Sequence, residues 1–567
     1  MTTRSRRTAL ALRSAASILL VAMVCASCGF GSHHASTVSA AGSAADPVES
    51  GLANAGTPTR GGQLVYGLEA ESDGGYCLPE AQLAISGMEV ARAIYDTLTV
   101  PDNAGGYAPY LAKSVEPSDN YRSWDITVRP NVVFHDGTHL DATVVKNNLD
   151  AYRGAYKARS PLLFAFVFKN VASVTVVNQY TVKVRTKVPW VAFPAVLYSS
   201  GRLGIMAQRQ LDASPADCAA QPIGTGPFSF VSWTQGVSLR VKRNPSYWQK
   251  APDGQPYPYL NAIEFRPIPD SDARLAALTR GEINMMHTST ASDMAQNLIH
   301  LRDSGAINLM ISNDHTEVSY LMFNTSKAPL GDLSARLAIA QSIDRTALNQ
   351  QANAGLPTVA DGPFAPGVLG HLDKPGFPAF DLAAARKAVK ALKDSGQNTT
   401  LSLLTSDGPV AVRQAQIQRQ MIEAAGFTVT LDIESESTLI SRVIAGTYDM
   451  ASFRNQPGDD PDMDHIWWYG AGNPVNFGRF DDPVINAALD QGRQNADAAT
   501  RRRAYEAINR EFAEKVWNVW LWYQPWAVAE AANVHGILGP DLPGTVDPPP
   551  PRLVTGHSLL GVWIAHH

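Results

Sequence analysis

Cysteine and charged residues are scarce in this chain of 567 residues, and each shortage disfavours a class of protein. With four cysteines and no repeated Cys-x-x-Cys pairs, the sequence offers no cysteine-based metal site. The 52 acidic side chains outnumber the 47 basic ones, and no run of Lys or Arg is longer than three residues, which disfavours nucleic-acid binding. After residue 28 there is no uninterrupted apolar stretch of about 18 residues, so a membrane-spanning body is not expected.

Catalytic motifs are also missing. The chain has no Gly-x-Ser-x-Gly, no His-Glu-x-x-His and no phosphate loop, and residues 224–226 lack the third glycine of a dinucleotide loop. Asp460, Asp462 and Asp464 resemble the opening of a calcium loop, but His465 stands where that loop requires glycine. We therefore interpret this acidic segment as a solvated loop and expect no enzyme activity, no cofactor and no metal.

The N-terminus has the layout of an export signal. Residues 1–28 combine a basic start, an apolar run at residues 18–24 and small residues before Cys28, which predicts a lipoprotein signal with Cys28 as the lipidated N-terminus. Cys25 is the poorer acceptor because the residue before it is not small, and an ordinary cleaved signal is the alternative. Residues 29–60, rich in Gly, Ser, Ala, Thr and Pro, predict a flexible tether with a reach of about 30 Å.

Two cysteines, Cys77 and Cys218, remain in the exported body. Because the extracytoplasmic space is oxidising, we predict a disulfide between them, with two separate buried thiols as the alternative. Closing so long a loop stabilises the folded chain by about 4–5 kcal/mol in the chain-entropy model.

Hydrophobic patterns indicate an α/β body. Apolar residues alternate with polar ones at residues 124–128 and on both sides of Asn178-Gln179, which predicts a strand and a hairpin. Residues 401–433 show a strand, a helix that ends before Gly426 and a second strand, an order typical of parallel strands joined by a crossover. The second half of the body is therefore predicted to be a mixed sheet with flanking helices.

Five segments in a fixed order resemble the family 5 extracellular solute-binding proteins, the receptors of ABC importers for dipeptides, oligopeptides and nickel. The segments include a Pro-Ile-Gly-Thr-Gly-Pro-Phe run and an Asn-Pro-Ser-Tyr-Trp run. They lie at residues 129–138, 222–228, 244–248, 277–283 and 323–345. Gly137 and Gly226 suit tight turns in which a side chain would obstruct the backbone. The Asp344-Arg345 pair is expected to cap or pair at a helix end.

The resemblance implies an α/β fold of the periplasmic-binding-protein type (class II), with two hinged lobes and an inserted extra domain. Lobe I is expected from residues 61–110, 200–310 and 521–567. The inserted domain is expected at residues 111–199 and lobe III at residues 311–520.

The resemblance also implies a function. A lipid-anchored monomer on the outer face of the cytoplasmic membrane would capture a peptide or peptide-like ligand in the cleft between the lobes and deliver it to the permease. The alternative is the same fold used as a regulator or scaffold lipoprotein of the cell envelope, which would bind a protein partner and no small ligand tightly.

Candidate ligand-binding residues follow from loop positions in the family. They are Tyr76, Cys77, Ile85, Ser86, Arg454, Asn455, Gln456, Asp459 and Trp467. In peptide-binding members an Asp of lobe III pairs with the ligand amine, and Pro457 stands at that position here unless Asp459 replaces it. The late tryptophans are interpreted as core, with Trp467 or Trp526 as a cleft residue in the alternative interpretation.

Overall fold

The computed structural model describes residues 56–565, with gaps inside that range. The gaps are residues 73, 82, 103–104, 162–163, 313–316, 456–457, 459, 471, 538, 541 and 544–558. The predicted signal with Cys28 and most of the predicted tether therefore lie outside the described residues. In the described part, every helix is too short or too polar to cross a membrane.

Twenty strands run through the described residues. In chain order they are β1 (Gln63–Leu68), β2 (Thr99–Pro101), β3 (Tyr107–Pro109), β4 (Ala112–Ser118), β5 (Ser123–Val128), β6 (Val171–Asn178), β7 (Thr181–Thr186), β8 (Phe228–Thr234), β9 (Ser238–Arg243), β10 (Ala262–Pro267), β11 (Met285–Thr288), β12 (Ile307–Ser312), β13 (Val318–Phe323), β14 (Thr400–Ser406), β15 (Thr428–Glu434), β16 (Met450–Asn455), β17 (Asn518–Tyr523), β18 (Trp526–Ala531), β19 (Val534–His535) and β20 (Trp563–Ile564).

Helices connect and cover these strands. They are α1 (Ile85–Ile94), α2 (Ala142–Tyr152), α3 (Phe164–Val167), α4 (Phe193–Tyr198), α5 (Gln208–Asp212), α6 (Pro215–Ala220), α7 (Ser271–Thr279), α8 (Ala291–Asp293), α9 (Ile299–Asp303), α10 (Leu333–Ser342), α11 (Arg345–Asn353), α12 (Leu382–Asp394), α13 (Pro409–Ala424), α14 (Glu436–Ala445), α15 (His465–Trp468), α16 (Pro483–Gln494) and α17 (Ala498–Lys515). A π-helical turn at Met294–Leu298 joins α8 to α9, and 3₁₀ turns occupy Phe168–Asn170, Ser199–Gly201 and Pro461–Asp464.

Two mixed sheets dominate the described chain. Sheet I has the order β12-β18-β11-β1-β10-β9-β8, and β1 runs parallel to β10 and β11. Sheet II has the order β15-β14-β16-β13-β17, and β14 runs parallel to β15 and β16. The chain crosses between the two sheets twice, from β12 to β13 and from β17 to β18, the second time through only Gln524 and Pro525.

A separate antiparallel sheet has the order β4-β5-β7-β6 and is built from residues 112–186. The α/β class, the strand at residues 124–128, the hairpin at Asn178-Gln179 and the parallel β14-α13-β15 unit are all confirmed. The ranges of the lobes and of the inserted domain stay predictions.

Local chemistry explains where several helices begin and end. Asp344 caps α11 by accepting a hydrogen bond from the Ala347 amide at 2.9 Å, as its position predicted. Helix α13 starts with Pro409 directly after Gly408 and ends before Gly426, whose φ of +107° favours glycine. One face of sheet II buries Leu401 and Leu403 against α10, α12 and α13.

Two of the sequence motifs contact one another. The His135 ring accepts from the Gly224 amide at 3.3 Å and donates to the Gly226 carbonyl at 2.9 Å. Gly226 passes so close to α1 that a Cβ there would lie 2.6 Å from the Ile94 carbonyl carbon. Gly226 is therefore required by a close backbone approach, which is the obstruction predicted from its sequence position.

The predicted disulfide between Cys77 and Cys218 is present, with the two Cα atoms 5.0 Å apart. Arg159, itself buried, donates to the Cys77 sulfur at 2.8 Å. The bond ties the segment between β1 and α1 to helix α6.

The acidic segment at residues 460–464 differs from its interpretation as a solvated loop. Asp462 and Asp464 are each only 1% exposed. Asp462 is ionised between Arg493 and the Trp190 indole, which donates to it at 2.7 Å. The interpretation was wrong because these partners come from distant parts of the sequence, which local composition does not reveal.

Candidate functional site

A cavity of about 1030 Å³ lies between sheet I and sheet II, beside the two chain crossings. The carboxyl ends of the parallel strands reach it from both sides. Glu69 follows β1 and Ser289 follows β11 in sheet I, while Ser406 ends β14 and Arg454 lies near the end of β16 in sheet II. Crevices at the carboxyl ends of parallel strands are the usual ligand sites of α/β folds.

The sheet I wall is organised by Glu69. Its carboxylate accepts hydrogen bonds from the Ser289 amide and hydroxyl and lies 3.4 Å from the guanidinium of Arg274. Burial opposes ionisation of Glu69, but the charge of Arg274 and the hydrogen bond from the Ser289 amide outweigh it, so the pKa of Glu69 is below the ordinary value. A charged network centred directly after the first strand therefore holds this wall together.

Ser86 and His287 lie at the base of this wall, with the Ser86 hydroxyl 3.1 Å from His287 Nε2. The Glu69 amide also donates to Nε2, and His287 Nδ1 has no hydrogen-bond partner among the described residues. Burial lowers the pKa of His287 to about 4, so the ring is neutral. No described carboxylate orients this ring as a catalytic base, so the pair positions the end of β1 rather than activating a nucleophile.

The crossings contribute polar groups of their own. Glu317, directly before β13, accepts from the Trp526 indole at 2.7 Å and lies 3.6 Å from Arg454 Nε. Gln524 donates to the Ser289 carbonyl at 2.6 Å. Glu317 raises the pKa of Arg454, so that guanidinium is fully charged. The side chain of Arg454 is 41% exposed and is available to a ligand in the cavity.

Aromatic side chains form much of the remaining wall. Trp467 and Phe477 contact each other and line the cavity. Trp522 and Trp526 also line the cavity. The described residues contain no group of three or more His, Cys, Asp or Glu side chains placed to hold a metal ion. A cavity with apolar walls and a few fixed charges is suited to binding an organic solute.

A family model for the bacterial extracellular solute-binding proteins, family 5 Middle, matches residues 106–477 of this chain. The chain belongs to this family. Its members are binding proteins, so the predictions of a solute-binding protein rather than an enzyme, and of an extracellular class, are confirmed.

Individual relatives agree with this assignment. The glutathione-binding protein GsiB of Salmonella paratyphi A (strain ATCC 9150 / SARB42) is 30% identical over 313 residues, which are 55% of this chain and 58% of GsiB. The chain thus spans somewhat more than half the length of the curated relatives that it matches.

Solved structures match over a larger part of the chain. The binding protein AgaA from A.tumefacien R10, in complex with agropinic acid, has a TM-score of 0.78 and 25% identity, covering 89% of this chain and 99% of AgaA. The oligopeptide-binding protein AppA from Bacillus subtilis, in complex with a nonapeptide, has a TM-score of 0.77 at 20% identity, covering 90% of this chain and all of AppA. The predicted periplasmic-binding-protein fold is confirmed.

Of the site residues predicted for this family 5 protein, four line the cavity. Ile85 and Ser86 lie at the start of α1, Arg454 at the end of β16 and Trp467 in α15. Trp526, the alternative aromatic residue, lines the cavity as well.

Three other predicted residues lie behind the wall. Cys77 is engaged in the disulfide, and Tyr76 packs against Trp233, so neither side chain reaches the cavity. Asn455 points away from the neighbouring Arg454 and accepts from the Tyr320 hydroxyl at 2.8 Å. Gln456 and Asp459, like Pro457, lie outside the described residues.

Sequence reasoning missed several charged residues of the wall, above all Glu69, Arg202, Asp293 and Glu317. Glu69 directly follows β1, which ends at Leu68, whereas the predicted residues Tyr76 and Cys77 lie further along the same connection. Glu317 directly precedes the buried strand β13. That position indicates a cavity residue only when the strand order of the sheets is known.

Proposed function

We propose that this chain is a lipid-anchored receptor of an ABC importer that captures a peptide or peptide-like ligand and delivers it to the membrane permease. The observation that carries the proposal is the cavity of about 1030 Å³ between sheet I and sheet II, beside both chain crossings. Its volume is at the upper end of the range for ligand pockets, about 300–1,000 Å³. A ligand of several residues, rather than a single ion, suits that volume.

The names of similar proteins support this ligand class. GsiB is a glutathione-binding protein, and AppA was solved with a nonapeptide. DppA from Helicobacter pylori, solved with the peptide STSA, has a TM-score of 0.76 at 20% identity. We extend a peptide-like ligand to this chain because its cavity has both fixed charges and aromatic walls.

Capture and delivery require a change of shape that the permease recognises. We propose that lobe I (residues 61–110, 200–310 and 521–567) and lobe III (residues 311–520) close over the ligand by hinge bending at the two crossings. Residues 111–199 are proposed as the inserted domain, and the receptor is proposed to act as a monomer.

Mass spectrometry of the natively purified full-length protein tests the ligand. We expect denaturation to release a peptide or a peptide-like compound in stoichiometric amount. Release of an unrelated small solute would support the receptor role but would change the proposed class of ligand. A protein that binds no compound, and shows no thermal shift with glutathione or a peptide library, would favour the envelope regulator instead.

The lipid anchor at Cys28 is tested separately. Cys28→Ala is expected to abolish metabolic labelling with a radioactive fatty acid and to release the protein from the membrane fraction. Cys25→Ala is the matched control and is expected to leave both unchanged. Labelling that survives in Cys28→Ala and disappears in Cys25→Ala would place the anchor at Cys25.

A further inference from the structure

Asp293 is an acidic residue of the cavity wall that makes no hydrogen bond or ion pair to the Glu69 network in the described part of the chain. It ends the short helix α8, and its neighbours Thr290 and Ser292 line the cavity as well. The residue is only 8% exposed, yet its Oδ2 atom has no hydrogen-bond partner among the described residues. A buried carboxylate oxygen without a partner costs free energy, and a ligand in the cavity is one of the groups that can supply that partner.

The surroundings of Asp293 favour a cation as that partner. Burial raises the pKa of Asp293, and the negative charges of Asp272 and Glu69 raise it further, while the Ser271 side chain and Arg274 act against the rise. Asp272 and Ser271 lie in the first turn of α7 and line the same part of the cavity. Negative potential from several sides attracts a cation more strongly than a neutral hydrogen-bonding group.

Arg274 is the cation of this wall, and its guanidinium is already engaged elsewhere. It donates to the carbonyls of Ile268 and Pro269 and to Thr288, and it pairs with Glu69 at 3.4 Å. No ion pair within 4.0 Å joins Asp293 to a basic residue in the described part of the chain. Among the described residues, Asp293 therefore has no ion-pair partner, and a cation of the solute would supply one.

We propose that Asp293 binds a cationic amino group of the solute, which places the amine-recognition subsite of the cavity on the sheet I side. This inference rests on the proposed function, because it presupposes an amine-bearing solute in the cavity. Arg454, half-exposed on the sheet II side, lies on the opposite wall and does not compete for Asp293. The subsite therefore gives the solute a direction, with its amino group towards α7 and α8.

Defined probes test the subsite on the full-length protein in detergent, with occupancy read by native mass spectrometry. The probes are glutathione, N-acetylglutathione and a library of neutral tri- to pentapeptides in free, Nα-acetylated and C-terminally amidated forms. Acetylation removes the positive charge, whereas amidation leaves it. We expect acetylation to weaken binding about 10- to 100-fold, the loss of one charge-assisted hydrogen bond, and amidation to leave the contact to Asp293 intact. Nα-acetylated peptides with a lysine distinguish an α-amino group from a side-chain amine.

Variants assign the effect to one residue. Asp293→Asn keeps the shape and a hydrogen-bonding oxygen but removes the charge, so it is expected to bind free peptides about 10- to 100-fold more weakly and to lose the preference over acetylated ones. Glu436→Gln is the matched control, because Glu436 is an exposed acid of the opposite wall. It is expected to keep the preference. Thermal unfolding of Asp293→Asn checks its fold.

Equal binding of free and acetylated probes to the wild-type chain would overturn the proposal, and so would unchanged binding of free probes to Asp293→Asn. Loss of the preference in Glu436→Gln alone would move the subsite to sheet II and overturn it as well. If no probe binds the folded wild type, the assignment of a peptide ligand fails. The subsite is then tested with the compound that co-purifies with the protein from its host. A compound with a cationic amine that Asp293→Asn no longer retains supports the subsite. A compound without one, or an empty cavity, overturns it.

Discussion

The ion pair between Asp462 and Arg493 is the most deeply buried charge pair of the described chain. We predict that breaking it lowers the stability of the fold. The side chains are 0% and 6% exposed. Arg493 Nε donates to Asp462 Oδ1 at 2.8 Å, and the Trp190 indole donates to Oδ2 at 2.7 Å. The guanidinium also lies 4.7 Å from the centre of the Trp190 ring. Three segments far apart in sequence thus meet at one carboxylate.

We expect Asp462→Asn to lower the free energy of unfolding by about 3–5 kcal/mol, because it leaves the charge of Arg493 buried without a counter-ion. Replacing both partners in Asp462→Asn/Arg493→Met removes that uncompensated charge, so the double variant is expected to be more stable than the single one. Burial opposes ionisation of Asp462, but Arg493 and Trp190 outweigh it and hold its pKa below the ordinary value. The stabilisation by the Asp462–Arg493 ion pair is therefore present above about pH 4, and it is lost as the pH falls through the lowered pKa of Asp462.

Urea unfolding followed by far-ultraviolet circular dichroism measures the effect at pH 7. The matched control is Asp394→Asn, which breaks an exposed pair with Lys390 and is expected to cost less than about 0.5 kcal/mol. A loss below about 1 kcal/mol in Asp462→Asn would refute the reasoning. A double variant as unstable as the sum of its single variants would refute it too, since the two charges would then not depend on one another.

Three further predictions concern other buried features of the described chain. Gly226→Ala places a Cβ 2.6 Å from the last carbonyl of α1 and is expected to lower the melting temperature by more than 5 °C, whereas Gly408→Ala, with open space around it, is expected to change it little. Reduction of the Cys77–Cys218 bond, which spans 141 positions, is expected to cost up to about 4–5 kcal/mol, and the double serine variant is expected to be insensitive to the reductant. Burial lowers the pKa of His287 to about 4, below its unfolded value near 6.5, so at acid pH the unfolded chain binds a proton that the folded chain does not. The free energy of unfolding is therefore expected to fall by about 2–3 kcal/mol between pH 7 and pH 4.5. The fall is expected to be smaller in His287→Asn.

Much of the fold was predictable because its signals are local. Alternation of apolar residues identified β5, the β6–β7 hairpin and the β14-α13-β15 unit without any knowledge of their partners. The disulfide followed from counting, since Cys77 and Cys218 are the cysteines left after the signal. Gly226 was predicted to lie in a tight turn where a side chain would obstruct the backbone. The obstruction is present, although α1, the element that causes it, was not predicted.

The cavity was less predictable because its groups come from distant segments. The strand order of the two sheets, which the sequence does not display, brings these groups to one cavity. They include Glu69, Asp293, Glu317 and Arg454. The same reason explains the acidic segment, where composition indicated solvent exposure and the counter-ion of Asp462 lies 31 positions away.

Glu317 and Gln524, one from each chain crossing, line the cavity, which links binding to any change in the angle between the sheets. Gln524 donates to the Ser289 carbonyl of sheet I at 2.6 Å, and its own oxygen accepts from Trp522 of sheet II at 3.1 Å. Glu317 is held by Trp526 of sheet I and faces Arg454 of sheet II. A rotation of one sheet against the other must therefore alter hydrogen bonds in the wall that a solute contacts. A solute shifts that rotation only by the difference between its affinities for the two arrangements, so contacts to both walls, and not affinity alone, drive closure.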